Sequence, residues 1–141
     1  MFQRLLTLSF IILTLQSCDP GFAVILSNNS NKEKNVTVTK VPRQELLSKD
    51  SVIVVDTSHL DFFSDKLSRQ SITLTNKDTL NNSYSFVLKK GKRALLQGGM
   101  GGPDYNQKIV IDNSDTILLR HDKRTVIRKK FMYTFVSTKI Q

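Results

Sequence analysis

Short runs rich in valine, isoleucine, threonine and phenylalanine recur through most of this chain, separated by clusters of Asn, Asp, Ser, Gly and Lys. Runs this short, bounded by turn-forming residues, predict strands. They place strands over 22–27, 35–41, 51–56, 71–75, 83–89, 93–97, 108–112, 116–121 and 131–138. Val36, Val38 and Val41 are spaced by Thr37, Thr39 and Lys40, and Thr73 separates Ile72 from Leu74. Side chains alternate across a strand, so this spacing turns one face inward and the other to water. Between Ile109-Val110-Ile111 and Ile117-Leu118-Leu119 lies Asp112-Asn113-Ser114-Asp115. Asn and Asp tolerate left-handed backbone and bond back to it, so this tetrad predicts a hairpin turn.

Two segments depart from the strand rhythm. Leu60, Phe63 and Leu67 fall at helical spacing, with Ser58 as N-cap and Asp61 three residues later, which predicts a short helix over 59–68. Glu45, Leu46 and Leu47 follow Pro42 and suit a second helical turn at Arg43–Ser48. Many short strands around a helical connection predict a mostly β chain. The expected architecture is an antiparallel β-sandwich, immunoglobulin-like in broad outline, with one short helical connection. Gly98-Gly99-Met100-Gly101-Gly102-Pro103-Asp104 reads as a long flexible connection between strands. An anion-binding nest or a mobile binding loop is the other reading of these glycines. They lack the Lys-Ser/Thr ending of a P-loop and the spacing of a dinucleotide fingerprint.

The N-terminus carries the location signal. Arg4 gives a short basic start, 5–15 are mostly apolar, and Ser17 is small at the cut site. Cys18, the only cysteine, follows Leu15-Gln16-Ser17 directly. This pattern resembles the lipobox of bacterial lipoprotein precursors. The resemblance implies a cleaved signal peptide over 1–17 and a diacylglyceryl group on the Cys18 thiol. It also implies a lipid-anchored address in the cell envelope, on the periplasmic or outer-membrane face. A membrane span needs about 20 apolar residues, and this run is nearer half that. Residues 18–21 would then be the lipidated N-terminus and a short linker, and 22–141 a single domain. With 22–27 read as a strand, the linker holds the body close to the bilayer.

Cleavage after Ser17 leaves 124 residues, enough for one domain with its own core. Acylation would consume the only thiol, so the body has no disulfide to rely on. It carries 20 basic against 12 acidic side chains, a balance that favours anionic neighbours. The cations cluster at Lys89, Lys90, Lys92 and Arg93, at Lys123 and Arg124, and at Arg128, Lys129 and Lys130. Lys89, Lys90, Lys92, Arg93, Arg128, Lys129 and Lys130 are the candidate anion-binding residues, for anionic lipid headgroups or a polyanionic glycan. Solvated strand ends and blunted sheet edges account for the same pattern without a ligand. Nucleic acid is not the expected partner, because the clusters lack interleaved aromatics for base stacking.

Catalytic chemistry finds little support. His59 and His121 are the only histidines, no second cysteine is present for a zinc site, and no Gly-x-Ser-x-Gly turn supplies a nucleophile. His121-Asp122 is the one pair suggestive of an oriented imidazole. No catalytic residue, metal or cofactor is assigned. Asp50-Ser51-Val52, Asp78-Thr79-Leu80 and Asp115-Thr116-Ile117 resemble the Asp-Ser/Thr-aliphatic sequon of the O-glycosylation system of Bacteroidota. That resemblance implies glycans at Ser51, Thr79 and Thr116, whose hydroxyls must then face solvent. The sequence thus predicts a lipid-anchored envelope protein that binds or supports rather than catalyses. A hydrolase of envelope glycan is the competing class.

Overall fold

The structure, a computed structural model, describes residues 20–56, 69–130 and 132–141. Eleven strands form two sheets among the described residues. In the six-stranded sheet the order is β10 (Thr125–Lys130), β11 (Tyr133–Ile140), β1 (Gly21–Asn28), β7 (Lys92–Met100), β3 (Ser51–Asp56) and β4 (Gln70–Thr73). In the five-stranded sheet it is β5 (Asn76–Asp78), β6 (Ser83–Leu88), β2 (Lys34–Thr39), β8 (Lys108–Ile111) and β9 (Asp115–Leu118). One helix among the described residues, α1 (Arg43–Ser48), links β2 to β3 and buries Leu46. The helix expected over 59–68 lies outside the described residues.

β1 is the organising strand. Its sequence Gly-Phe-Ala-Val-Ile-Leu-Ser-Asn is buried almost throughout, the continuous apolar pattern of a strand covered on both faces. It pairs with β7 on one side and along all eight residues with β11 on the other. The β1–β11 pairing is parallel, so the expectation of a wholly antiparallel fold is corrected: the larger sheet is mixed. A parallel pair needs a long connection, and here nearly the whole chain supplies it.

Alternation places Phe22, Val24 and Leu26 of β1, Val52 and Val54 of β3, and Val136 and Ile140 of β11 on one face of the larger sheet. From the smaller sheet come Val36 and Val38 of β2, Tyr84, Phe86 and Leu88 of β6, and Ile109 and Ile111 of β8. All belong to one apolar core. Two polar ties join the sheets across it. The Tyr84 hydroxyl donates to the Leu96 carbonyl at 3.3 Å, and the Asn28 carboxamide donates to the Leu88 carbonyl at 2.9 Å. Lys49, just past α1, also donates to the Leu96 carbonyl, pairs with Glu45 at 3.1 Å and sits 4.8 Å over the Tyr84 ring.

Most strand boundaries shift from the sequence expectation by one or two residues, as where 131–138 becomes Tyr133–Ile140, and two shift further. Gly98, Gly99 and Met100 are strand, paired with Ala23, Phe22 and Gly21, so the flexible connection begins only at Gly101. A bulge in the β1–β7 pairing at Val24/Ile25 sets Gln97 opposite Val24, and its Oε1 accepts the Asp104 N–H at 3.0 Å. The predicted strand 116–121 shortens to Asp115–Leu118, and His121 lies in the turn beyond it. The hairpin turn is as the sequence describes: Asp112 and Asn113 both take positive φ, 49° and 58°, which their short polar side chains tolerate.

Candidate anion-binding site

The candidate cations divide between opposite ends of β1. Lys130 is opposite Tyr133, and Tyr133 is opposite Gly21, the first residue of β1. Arg93 is opposite Ser27, near the last residue of β1. Six residue steps lead from Gly21 to Ser27, about 20 Å at the usual rise. The 128–130 cluster, Arg128, Lys129 and Lys130, is not a turn but half of edge strand β10. Cations on an edge strand disfavour pairing with another chain.

At the Ser27 end the strands build an open basin of about 550 Å³, lined by Ser27, Asn28, Asn29, Ser30, Lys90, Gly91, Arg93 and Lys139. Its floor is a row across three adjacent strands. Arg93 of β7 and Lys139 of β11 are each in register with Ser27 of β1. Cross-strand partners project to the same face, so the Arg93 and Lys139 side chains stand on either side of Ser27. Ser27 is 5% exposed, and its hydroxyl has no hydrogen-bond partner among the described residues. Among the described residues no carboxylate lines the basin.

The basin's rim is rigid for a local reason. Asn28 Nδ2 donates to the Lys32 and Leu88 carbonyls, both at 2.9 Å, while Oδ1 accepts the Ser30 N–H and hydroxyl at 3.1 and 2.6 Å. This one side chain closes the loop after β1 and fixes it to β6. On the other side the Gly91 N–H donates to the Asn28 carbonyl at 2.9 Å, and Gly91 turns at a φ of 69°, a conformation suited to glycine. The β6–β7 turn thereby holds Lys90 over the basin.

Of the predicted residues, Lys90 and Arg93 meet here. Lys89 lies in the same turn without lining the basin, and Lys92 is committed elsewhere, its Nζ 2.8 Å from Asp56 Oδ1. Lys139 was missed by the sequence reading. It stands alone between Thr138 and Ile140, with no neighbouring cation to mark it, and only the parallel β1–β11 pairing brings it to Ser27.

The remaining candidates resolve separately. Cys18 and His59 lie outside the described residues. His121 is exposed, and the Asp122 carboxylate is occupied by Arg124: Oδ1 accepts the Arg124 Nε at 2.9 Å and Oδ2 the Nη2 at 2.7 Å. That contact holds the Asp122 carboxyl below its usual range, and Arg124 also grips Asp115. The sequence pair His121-Asp122 is thus an arginine clamp rather than an oriented imidazole. Ser51, Thr79 and Thr116 are all exposed, the accessibility that an attached glycan requires. Among the described residues no cluster of His, Cys, Asp and Glu has the makings of a metal site, and no helix is long and apolar enough to cross a membrane.

Fold and basin together define a two-sheet β domain with a cationic, hydroxyl-lined depression at one end of its central strand. No family model matches the chain, and no curated protein matches it.

Proposed function

We propose that this chain is a lipid-anchored binding protein of the cell envelope, a β-sandwich that holds an anionic envelope glycan in the Ser27–Arg93–Lys139 basin. The observation that carries the reading is that Lys90 and Lys139 line one basin with Arg93 and the buried Ser27, and that no carboxylate joins them there among the described residues. A carboxylated or phosphorylated saccharide matches it, with charge for the cations and hydroxyls for Ser27, Ser30 and Asn29. Headgroups of the anchoring leaflet do not. Cys18 precedes Gly21 by three residues, whereas the basin lies about 20 Å along β1. A surface potential decays within about 8 Å at physiological ionic strength. The basin therefore faces away from the membrane that would hold the anchor.

The test uses protein extracted in detergent from its native cells. Intact mass reads the acyl groups on Cys18 and any saccharide on Ser51, Thr79 or Thr116. Titration calorimetry then compares oligomers of polygalacturonate with neutral dextran. The expected result is an acylated mass with residues 1–17 absent, salt-sensitive binding of polygalacturonate alone, and its loss in Lys90→Glu/Lys139→Glu. Equal binding of dextran, or an undiminished double variant, defeats the ligand assignment. A bare Cys18 thiol defeats the anchor.

A further inference from the structure

The end of the large sheet opposite the basin has a different character. The Pro20 carbonyl accepts the Gly101 N–H, and the Gly21 N–H donates to the Met132 carbonyl, both at 2.8 Å. The chain arriving from Cys18 is thus pinned between the end of β7 and the start of β11. Met100, Gly21 and Tyr133 form one register row across β7, β1 and β11, so their side-chain positions share a face. A Cβ on Gly21 would run into the Tyr133 ring, which places that ring across the first residue of β1. Met100 is 66% exposed and Tyr133 48% exposed. Gly101 and Gly102 follow Met100 with open space around them, so no side chain there keeps the body off a surface. Exposed Arg128 and Lys129 stand on the neighbouring edge strand, opposite Phe135 and Thr134.

We infer that this end is a membrane-contact face, with Met100 and Tyr133 seated at the headgroup boundary of the anchoring leaflet and Arg128 and Lys129 beside anionic headgroups. The inference rests on the reading of Cys18 as acylated, because the length of the intervening chain selects the occupant. Two residue steps put the Cys18 and Pro20 Cα atoms at most about 7 Å apart, so an acyl chain on the thiol brings the bilayer to this face. An exposed thioether and a phenol are suited to that boundary, since both combine apolar bulk with a polarizable or polar group. Tyrosine is enriched at membrane–water interfaces. The contact orients the domain, with β1 rising from the bilayer and the basin presented at its far end.

The experiment labels a single engineered thiol on the native acylated protein. Met100→Cys and Asn29→Cys, at opposite ends of β1 and both at exposed positions, are each conjugated to a fluorophore and reconstituted into phosphatidylglycerol vesicles containing shallow spin-labelled lipid. The Met100→Cys label is expected to be quenched and the Asn29→Cys label not. Equal quenching at both positions, or none at Met100→Cys, overturns the contact face. Labelling stoichiometry separates the two failures: two labels per chain expose a free Cys18 and defeat the anchor, whereas one label without quenching defeats only the orientation. Tyr133→Ser combined with Met100→Cys should weaken the quenching, and an unchanged signal counts against a seated Tyr133.

Discussion

Asn28 Nδ2 lies 2.9 Å from the Leu88 carbonyl oxygen, joining residues 60 apart in sequence and the ends of strands in different sheets. Asn28 is fully buried, and its four contacts use both ends of the carboxamide. Asn28→Ala strands the Leu88 and Lys32 carbonyls without their donor, a loss expected to cost about 2–3 kcal/mol. Urea unfolding measures it as a lowered midpoint. Asn28→Asp should cost more, because a carboxylate then faces two carbonyl oxygens. A midpoint unchanged in both variants would remove Asn28 as the tie between the sheets.

Gln107 poses the opposite case. It is 1% exposed, and neither its Oε1 nor its Nε2 has a hydrogen-bond partner among the described residues. Burial without compensation costs about 1–3 kcal/mol for such a group. Gln107→Met keeps similar length without the amide, so it should raise the urea midpoint. A lowered midpoint would show that the amide is satisfied by buried water.

Asp112 makes stability depend on acid. The Lys34 Nζ donates to its Oδ2 at 2.8 Å and the Asn35 N–H to its Oδ1 at 3.0 Å, and the Lys34 contact is the larger cause of a carboxyl held below its ordinary range. A carboxyl with a depressed folded pKa stabilises the fold above its unfolded value and loses that contribution as pH falls through the folded one. Asp112→Asn should therefore unfold more easily than the unaltered protein at neutral pH. The two should converge only on descending below about pH 4. Urea midpoints across that range are the measurement, and a constant gap at every pH would rule out the charge as its source. Asn at this position keeps the positive φ of the turn, so the comparison isolates charge.

Ser27 offers a way to fill the basin from within. Ser27→Asp places a carboxylate between Arg93 and Lys139 on adjacent strands, and cross-strand opposite charges are favourable by about 0.2–1 kcal/mol. Binding of polygalacturonate should be abolished while the urea midpoint falls little. Ser27→Ala, which removes only the hydroxyl, should weaken binding up to about tenfold, the equivalent of one modest hydrogen bond. Calorimetry on both variants checks the pair, and retained binding in Ser27→Asp would place the ligand elsewhere.

The strand 51–56 could be read from the sequence to the residue because its apolar positions and bounding polar residues are local. The turn at Asp112-Asn113 was legible for the same reason. Strand β10 was not. Thr125-Val126-Ile127 is a short apolar run followed by three cations, and Val126 and Ile127 remain substantially exposed; the strand exists because β11 offers an unpaired edge. Gly98-Gly99 likewise has no strand propensity of its own and is drawn into β7 by the backbone of Phe22 and Ala23. In the basin, Lys90 and Arg93 stood out as a local run, whereas Lys139 carried no signal because its neighbour Ser27 lies at the other end of the chain.

The sequence by itself determined a chain built mostly of strands, the position of most of them and the chemistry of their turns, since alternation and turn residues act over a few neighbours. Tertiary structure alone decided that β1 and β11 run parallel, that the two basic clusters stand at opposite ends of one strand, and that Ser27, Arg93 and Lys139 share a face. Those facts depend on register between segments far apart in the chain. Register is fixed by which faces the common core buries, and no local pattern encodes it.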